Sequence, residues 1–416
     1  MASASPSPAA LTAVPHRRPD TTLLRAQLVT AVGDGCFYVT FVVYLVQVGH
    51  LRPAQVGGLL TVAWGAGFLL THPVGALGDR IGLRRVTILL STATAAALLT
   101  LASAPTPWLV SSACVAYAIA QSGAGATRQA LLVSLVPSTE LVTVRAGIQT
   151  AVNAGIGLGA TAGGLALLAG TPTVYRAALV GDAALFAVSA IMLTRLPPAA
   201  RAPVRTGHGW DAPRDTRYVV VAALNAVLYL YMPMLGVLLP LYLTSRTTAP
   251  RSIVAAVFVV NTLGVLGWQR RAARRVTTLA EATRAIRLAG LALCAACVLF
   301  WTATATTDPA VAAGLLLAAV AVQVAGELRL AAGSWCVGFA LADPTRPGQW
   351  QGVYSSGVPL ARAVGPAALT TLVMVWSGPG WLVLGLVFLA TGLATTLAVT
   401  WAAHRRPFQT LDPGAT

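Results

Sequence analysis

The sequence predicts an all-α integral membrane protein of twelve transmembrane helices, arranged as two pseudo-symmetric six-helix bundles. Three observations carry that prediction. Of 416 residues, 56% are hydrophobic and 10% are charged, with a mean hydropathy of +0.74. Soluble domains carry about 25% charged residues, so a chain this size would not stay dispersed in water and lipid must face most of its side chains. Second, the apolar residues fall into twelve runs, each close to the ~20 residues that cross the hydrocarbon core as a helix. Third, a polar, proline-rich break at the midpoint divides those runs six and six. Composition excludes soluble enzymes, nucleic-acid binders and secreted disulfide scaffolds.

Residues 1–22 are rich in Ser, Pro and Ala, lack the short apolar core of a signal peptide, and read as a disordered tail. The N-terminal bundle, 23–195, holds runs at 24–48, 55–77, 85–104, 108–136, 141–169 and 174–195. The linker, 196–216, sets Pro197, Pro198, Pro203 and Pro213 among Arg201, Arg205, Asp211, Arg214 and Asp215. The C-terminal bundle, 217–404, holds runs at 217–244, 252–268, 285–306, 309–341, 352–377 and 380–403, and 405–416 form a second tail. The eighth run is the weakest, at about seventeen residues. Cys36, Cys114, Cys294, Cys297 and Cys336 all lie in apolar runs and read as small packing residues.

Arginine placement tests this count. All 28 basic residues are Arg. With twelve spans, Arg52, Arg176, Arg246 and Arg251 fall on one side and Arg128, Arg329 and Arg362 within spans, leaving twenty-one on the side of the termini and linker. That asymmetry predicts cytoplasmic termini. It also assigns the net charge of +16 to topology rather than to a nucleic-acid partner. The predicted location is a bacterial plasma (inner) membrane.

Between the second and third runs lies Gly75-Ala-Leu-Gly-Asp79-Arg80-Ile-Gly82-Leu-Arg84-Arg85. Gly75 permits close helix approach and Gly82 a tight turn. Asp79 is a carboxylate suited to a helix N-terminus, where unsatisfied N–H groups attract an anion. Arg80, Arg84 and Arg85 can bridge to acidic groups or lipid phosphates. This GxxxDRxGxRR pattern resembles the signature loop of the major facilitator superfamily, and with six-plus-six spans the resemblance covers nearly the whole chain. It implies the major facilitator fold and a cytoplasmic latch, with Asp79 meeting the start of the eleventh helix near Gln349-Trp350-Gln351-Gly352. It also implies alternating-access transport by a monomer of a small-molecule substrate, with no cofactor or metal and a proton gradient as the energy source. The matching stretch of the second half, Trp268-Gln-Arg270-Arg271-Ala-Ala-Arg274-Arg275, keeps the arginines without the Asp or Gly.

The fifth run carries Gly155-Ile-Gly157-Leu-Gly159-Ala160-Thr-Ala-Gly163-Gly164, and Gly365-Pro366 follows Gly159-Ala160 by 206 residues, as duplicated halves predict. The run resembles the glycine motif of the superfamily's twelve-span drug:proton antiporters, with Ala160 in place of proline. Such glycines let helices pack backbone to backbone, and the expected seam is the half-to-half interface.

Ionisable residues within spans are functional candidates by default. Asp34 and Arg128 each lie about ten residues from a span end, ~15 Å deep at 1.5 Å per residue, and are expected to pair; Tyr38 shares the face of Asp34. Glu327 either pairs with Arg362 or faces a different cavity. Arg329, two residues on, points away from Glu327. Asp182, in the peripheral sixth span, reads as structural. Asp34 or Glu327 is the expected proton carrier, since burial and a nearby Arg can move a carboxyl's affinity for its proton.

A sugar permease needs many hydrogen-bonding side chains, because buried polar groups must be satisfied. This chain has three Asn, at 153, 225 and 261. Asn153, Asn225, Asn261, Gln323, Tyr38 and Tyr229 are the candidate cavity residues. An apolar, aromatic cavity with few charges predicts proton-coupled export of hydrophobic or cationic drugs or secondary metabolites. The alternative is proton-coupled uptake of a small organic solute. No catalytic motif points to an enzyme.

Overall fold

The computed structural model describes residues 19–103, 106–197, 210–250, 253–376 and 378–404; the predicted tails lie almost wholly outside these, as does most of the linker. The described residues form helices joined by short turns, with no strand among them. We label the spans α1 Pro19–Gln47, α2 Pro53–Ile81, α3 Leu83–Ser103, α4 Pro107–Leu135, α5 Leu141–Ala169 and α6 Pro172–Leu193. α7 is Thr216–Leu228 continued by Tyr231–Pro233, a π-helical turn Met234–Leu238 and Leu239–Arg246. α8 is Ile253–Arg274, α9 Leu279–Thr302 and α10 Pro309–Ala340. α11 joins Pro347–Ser355, Gly357–Thr370 and the π-helical Thr371–Val375, and α12 is Gly378–Ala403. Eleven of these are long and apolar enough to cross a membrane on their described residues. α8, the short eighth run, is the other: its 22 residues pack against α10 and α5.

Local chemistry sets the boundaries. Proline starts α2, α4, α6, α10 and α11, where its missing N–H costs nothing. Thr171, Thr278 and Asp308 cap α6, α9 and α10 by accepting from backbone N–H groups of the first turn. α2 runs through Ile81, so Asp79 and Arg80 sit on its last turn rather than in a loop, and Gly82 alone makes the turn to α3 at φ 106°. Only glycine takes that backbone conformation without strain.

The packing partners define two bundles. α1 lies on α5 and α6, α4 on α2 and α3, and α3 on α6; α9 lies on α10 and α12, α7 on α12, and α8 on α10. The halves meet through α2 and α4 against α11, and α5 against α8.

The glycine stripe corrects the expectation for α5. Gly155, Gly159 and Gly163 face the backbone of α1 at Leu28, Val32 and Cys36, within one bundle. They repeat every fourth residue and so make one stripe. Gly164 is off that stripe and faces open space. Gly365 behaves alike in the second half, packing on Pro233 and Leu230 of α7.

Candidate functional site

The end of the molecule nearest the linker is sealed. At the tip of α2, Gly75 has no side chain to keep it from the backbone of Gly348. That approach brings Asp79 onto the start of α11, where its two oxygens accept from the N–H groups of Gly348 and Gln349, both at 2.7 Å. These are donors that a helix leaves unpaired, and the carboxylate also opposes the positive end of the helix dipole. The linker reinforces the seal. A helical turn, Asp211–Arg214, donates the Ala212 N–H to the Gln349 side chain at 2.5 Å, and Asp211 pairs with Arg346. His72 of α2 meets the Gln349 carbonyl at 3.3 Å. Arg84 donates to the Leu196 carbonyl at 2.5 Å, while Arg80 and Arg85 are exposed. Across the α5–α10 contact, Arg145 lies over the Trp335 ring, 4.9 Å from its centroid.

Midway along the molecule, charged and aromatic groups from both bundles converge. Asp34 of α1 accepts from Gln121 Nε2 at 2.8 Å and Tyr117 Oη at 3.3 Å, both on α4. The expected ion pair with Arg128 is not formed within 4 Å; two neutral donors, two turns or more along the same helix, hold the carboxylate instead. Arg362 of α11 crosses to the first bundle. It donates to Tyr38 Oη at 3.4 Å and stacks over Trp64 at 4.5 Å and Tyr38 at 5.7 Å. Phe37, stacked between Phe41 and Tyr117 at 4.1 and 4.6 Å, completes an aromatic wall.

Tyr38, Val42 and Val46 lie at four-residue spacing on one face of α1 and are 42%, 48% and 36% exposed. The face carrying Tyr38 thus stays uncovered toward the end of α1 remote from the linker. The Asp79 latch closes the linker side of this centre.

Glu327 does not join Arg362. It accepts from Asn261 Nδ2 at 3.0 Å and Gln323 Nε2 at 3.3 Å, forming a separate cluster of α8 and α10. Arg329 points away as expected, donating to its own helix at Ala325 O, 2.8 Å. Asn225 is buried and accepts from Ser334 Oγ at 2.6 Å, which ties α7 to α10. Asn153 accepts from Gln149 at 3.2 Å on α5, and Tyr229 is half-buried. Asp182 is buried against Gly33 of α1 with no hydrogen-bond partner among the described residues.

Sequence reasoning missed Gln121 and Tyr117, the donors to Asp34. Their spacing of four residues on α4, seven before Arg128, was the available signal. It also missed His72 and Arg145 in the seal, which carry no pattern of their own.

Two six-helix halves, sealed at one end beneath a charged aromatic centre, point to a membrane transporter. The family model of the Major Facilitator Superfamily matches residues 23–332, and the chain belongs to that superfamily. It is a transporter and not an enzyme, and transporters of this superfamily need no cofactor. Three solved structures are similar in fold. One is a bacterial homologue of the iron transporter ferroportin in the outward-facing state, with TM-score 0.71 and 19% identity over 94% of this chain and 100% of that one. Another is the human organic anion transporter MFSD10 (TETRAN), with TM-score 0.69 and 18% identity over 92% and 99%. The third is the transporter FucP in the outward conformation, with TM-score 0.69 and 14% identity over 91% and 98%. No curated protein matches the sequence.

Proposed function

We propose that this transporter is a proton-coupled exporter of hydrophobic or cationic organic compounds, drugs and secondary metabolites among them, in a bacterial plasma membrane. The linker side is cytoplasmic on this reading, following the arginine asymmetry, and the conformation described is outward-facing. The observation that carries the proposal is the setting of Asp34. It faces the centre on α1 and is held by Tyr117 and Gln121 rather than locked in an ion pair. Its charge is therefore free to change without breaking a salt bridge. Arg362, placed between Trp64 and Tyr38 on the opposite wall, supplies a second charge that substrate or proton binding would rearrange. The surrounding aromatic surface and the scarcity of amides favour apolar substrates.

The test uses everted vesicles, acid inside, with a pH-quenched dye and a panel of lipophilic cations, anions and neutral antibiotics. An antiporter dissipates the gradient when its substrate is added, and Asp34→Asn abolishes that response while substrate binding persists. Glu327→Gln, in the separate cluster, marks the alternative proton site. Gradient loss that is unchanged in both variants removes the carboxylates from the mechanism.

The second reading, uptake of a small organic solute, is favoured by one observation. The faces of Trp64 and Tyr38 are already occupied by Arg362, so an anionic solute would meet a cation there. Under that reading the gradient and the solute move in the same direction, and accumulation in right-side-out vesicles replaces the antiport signal.

A further inference from the structure

α8 and α9 are consecutive in sequence and both pack on α10, yet they scarcely touch each other. In the first half, the corresponding helices α2 and α3 lie side by side around the Gly82 turn. The second half has no such turn, because the Trp268–Arg275 stretch carries neither the glycine nor the aspartate. The splay leaves a cleft of about 1020 Å³ on the outside of the bundle, floored by α10.

One end of the cleft is cationic. Arg271 and Arg275 at the end of α8, Arg284 of α9 and Arg329 of α10 all line it. No carboxylate among the described residues lies within 4 Å of any of them. The one acid present, Glu281, is committed to capping α9: it accepts from the N–H groups of Thr277 and Thr278 at 2.8 and 3.0 Å. The rest of the cleft is apolar, with Leu263 and Leu288 exposed and Val324 behind them. Trp268, also exposed, stands at the rim, where an indole suits the headgroup level.

Arg329 is set deeper than a loop arginine. Gly333 packs on Ala282 and Ile286, and Gly326 on Ala289 and Ala292. Arg329 is therefore level with residues 286–289 of α9, about 10–15 Å from the start of that helix. It faces outward and bends back onto its own Ala325 carbonyl. A cation at that depth facing lipid is unfavourable unless a counter-ion comes to it.

We propose that this cleft binds an anionic glycerophospholipid, its phosphate seated among Arg275, Arg284 and Arg329 and its acyl chains lying along Leu263, Leu288 and Val324. Charge complementarity selects this occupant. A zwitterionic lipid brings its own cation to a site already rich in them, and a second copy docked symmetrically would set the same arginines against each other. The cleft lies outside the two bundles' shared centre, so the assignment stands whatever the transporter carries.

The experiment takes the purified full-length chain, delipidated in detergent, and adds phosphatidylglycerol with brominated acyl chains. The readout is Trp268 fluorescence, taken as the difference between wild type and Trp268→Phe. Saturable quenching is expected, with half-saturation shifted upward roughly tenfold or more in an Arg284→Gln/Arg329→Gln double variant. Arg329→Lys keeps the charge and retains most of the binding. The melting temperature of each variant in lipid-free detergent should match wild type, because the replaced side chains are exposed. If the double variant does not fold, Arg329→Lys and the comparison between lipids in wild type still decide. Equal quenching by brominated phosphatidylcholine overturns the proposal. So does full displacement by inorganic phosphate at matched ionic strength, or a dimer that shields Trp268 from both lipids.

Discussion

Asp79 and Asp34 are both carboxylates set among helices, and they are satisfied by different means. Asp79 takes two backbone N–H groups of α11, a fixed arrangement that charge strengthens. Asp34 takes a phenol and an amide, donors that serve a charged or a neutral acceptor. The first suits a structural clasp and the second a group that changes state. Hydrogen bonds to a charged group contribute about 1.5–3 kcal/mol each, so Asp79→Asn should shift the sealed:open ratio by about ten- to a hundredfold. Spin labels at Arg85→Cys and Arg274→Cys, on exposed ends of the two bundles, would report this as a longer distance population. An unchanged distance distribution would falsify the clasp. The type and position of Asp79 were legible in its glycine-flanked place before an arginine turn, and its partner at the start of α11 came through the resemblance to the superfamily's signature loop. The partners of Asp34 were not, since a Tyr and a Gln on an apolar helix look like packing until α1 is seen against α4.

At the level of the helix, the glycine stripe of α5 decides how closely α1 can lie. A Cβ at Gly159 would meet the Cys36 N–H at 2.9 Å, whereas one at Gly164 meets nothing within 4 Å. Overpacking a tight seam costs typically about 1–3 kcal/mol. Gly159→Ala should therefore lower the melting temperature in detergent by several degrees, and Gly164→Ala should leave it unchanged. Equal melting of the two variants would mean the stripe is not a packing seam. Periodicity predicted the stripe and its function in close approach, but a stripe does not name the helix it faces. The expected seam was the half-to-half interface, and only the packed bundle chose α1. The runs begin within two residues of the helices opened by Pro53, Pro107, Pro172 and Pro309, but five residues late at α11, opened by Pro347. At α9 the polar first turn, with Glu281 and Arg284, hid six residues from a hydropathy reading that began at 285.

For the whole molecule, the proposed export requires the seal at the linker side to break in each cycle. Arg145 of α5 and Trp335 of α10 meet across it, which makes them handles for a test. Arg145→Cys and Trp335→Cys, joined by a short cleavable thiol-reactive bridge in a background without the native cysteines, should stop transport, and cleavage of the bridge should restore it. Continued turnover in the bridged protein would remove this contact from the moving interface. Twelve helical runs in two halves follow from the sequence alone, and the arginine asymmetry predicts the side each loop occupies. The bilayer imposes a minimum apolar length on every crossing, and arginines report which side a loop faces. What only the tertiary structure decided is which charges meet. Asp34 finds Tyr117 and Gln121, Arg362 crosses to Trp64 and Tyr38, and Glu327 stays with Asn261 and Gln323. Depth along a helix is additive in residue number and can be read from a string. The direction a side chain faces across a bundle depends on the rotation and neighbours of every helix packed around it.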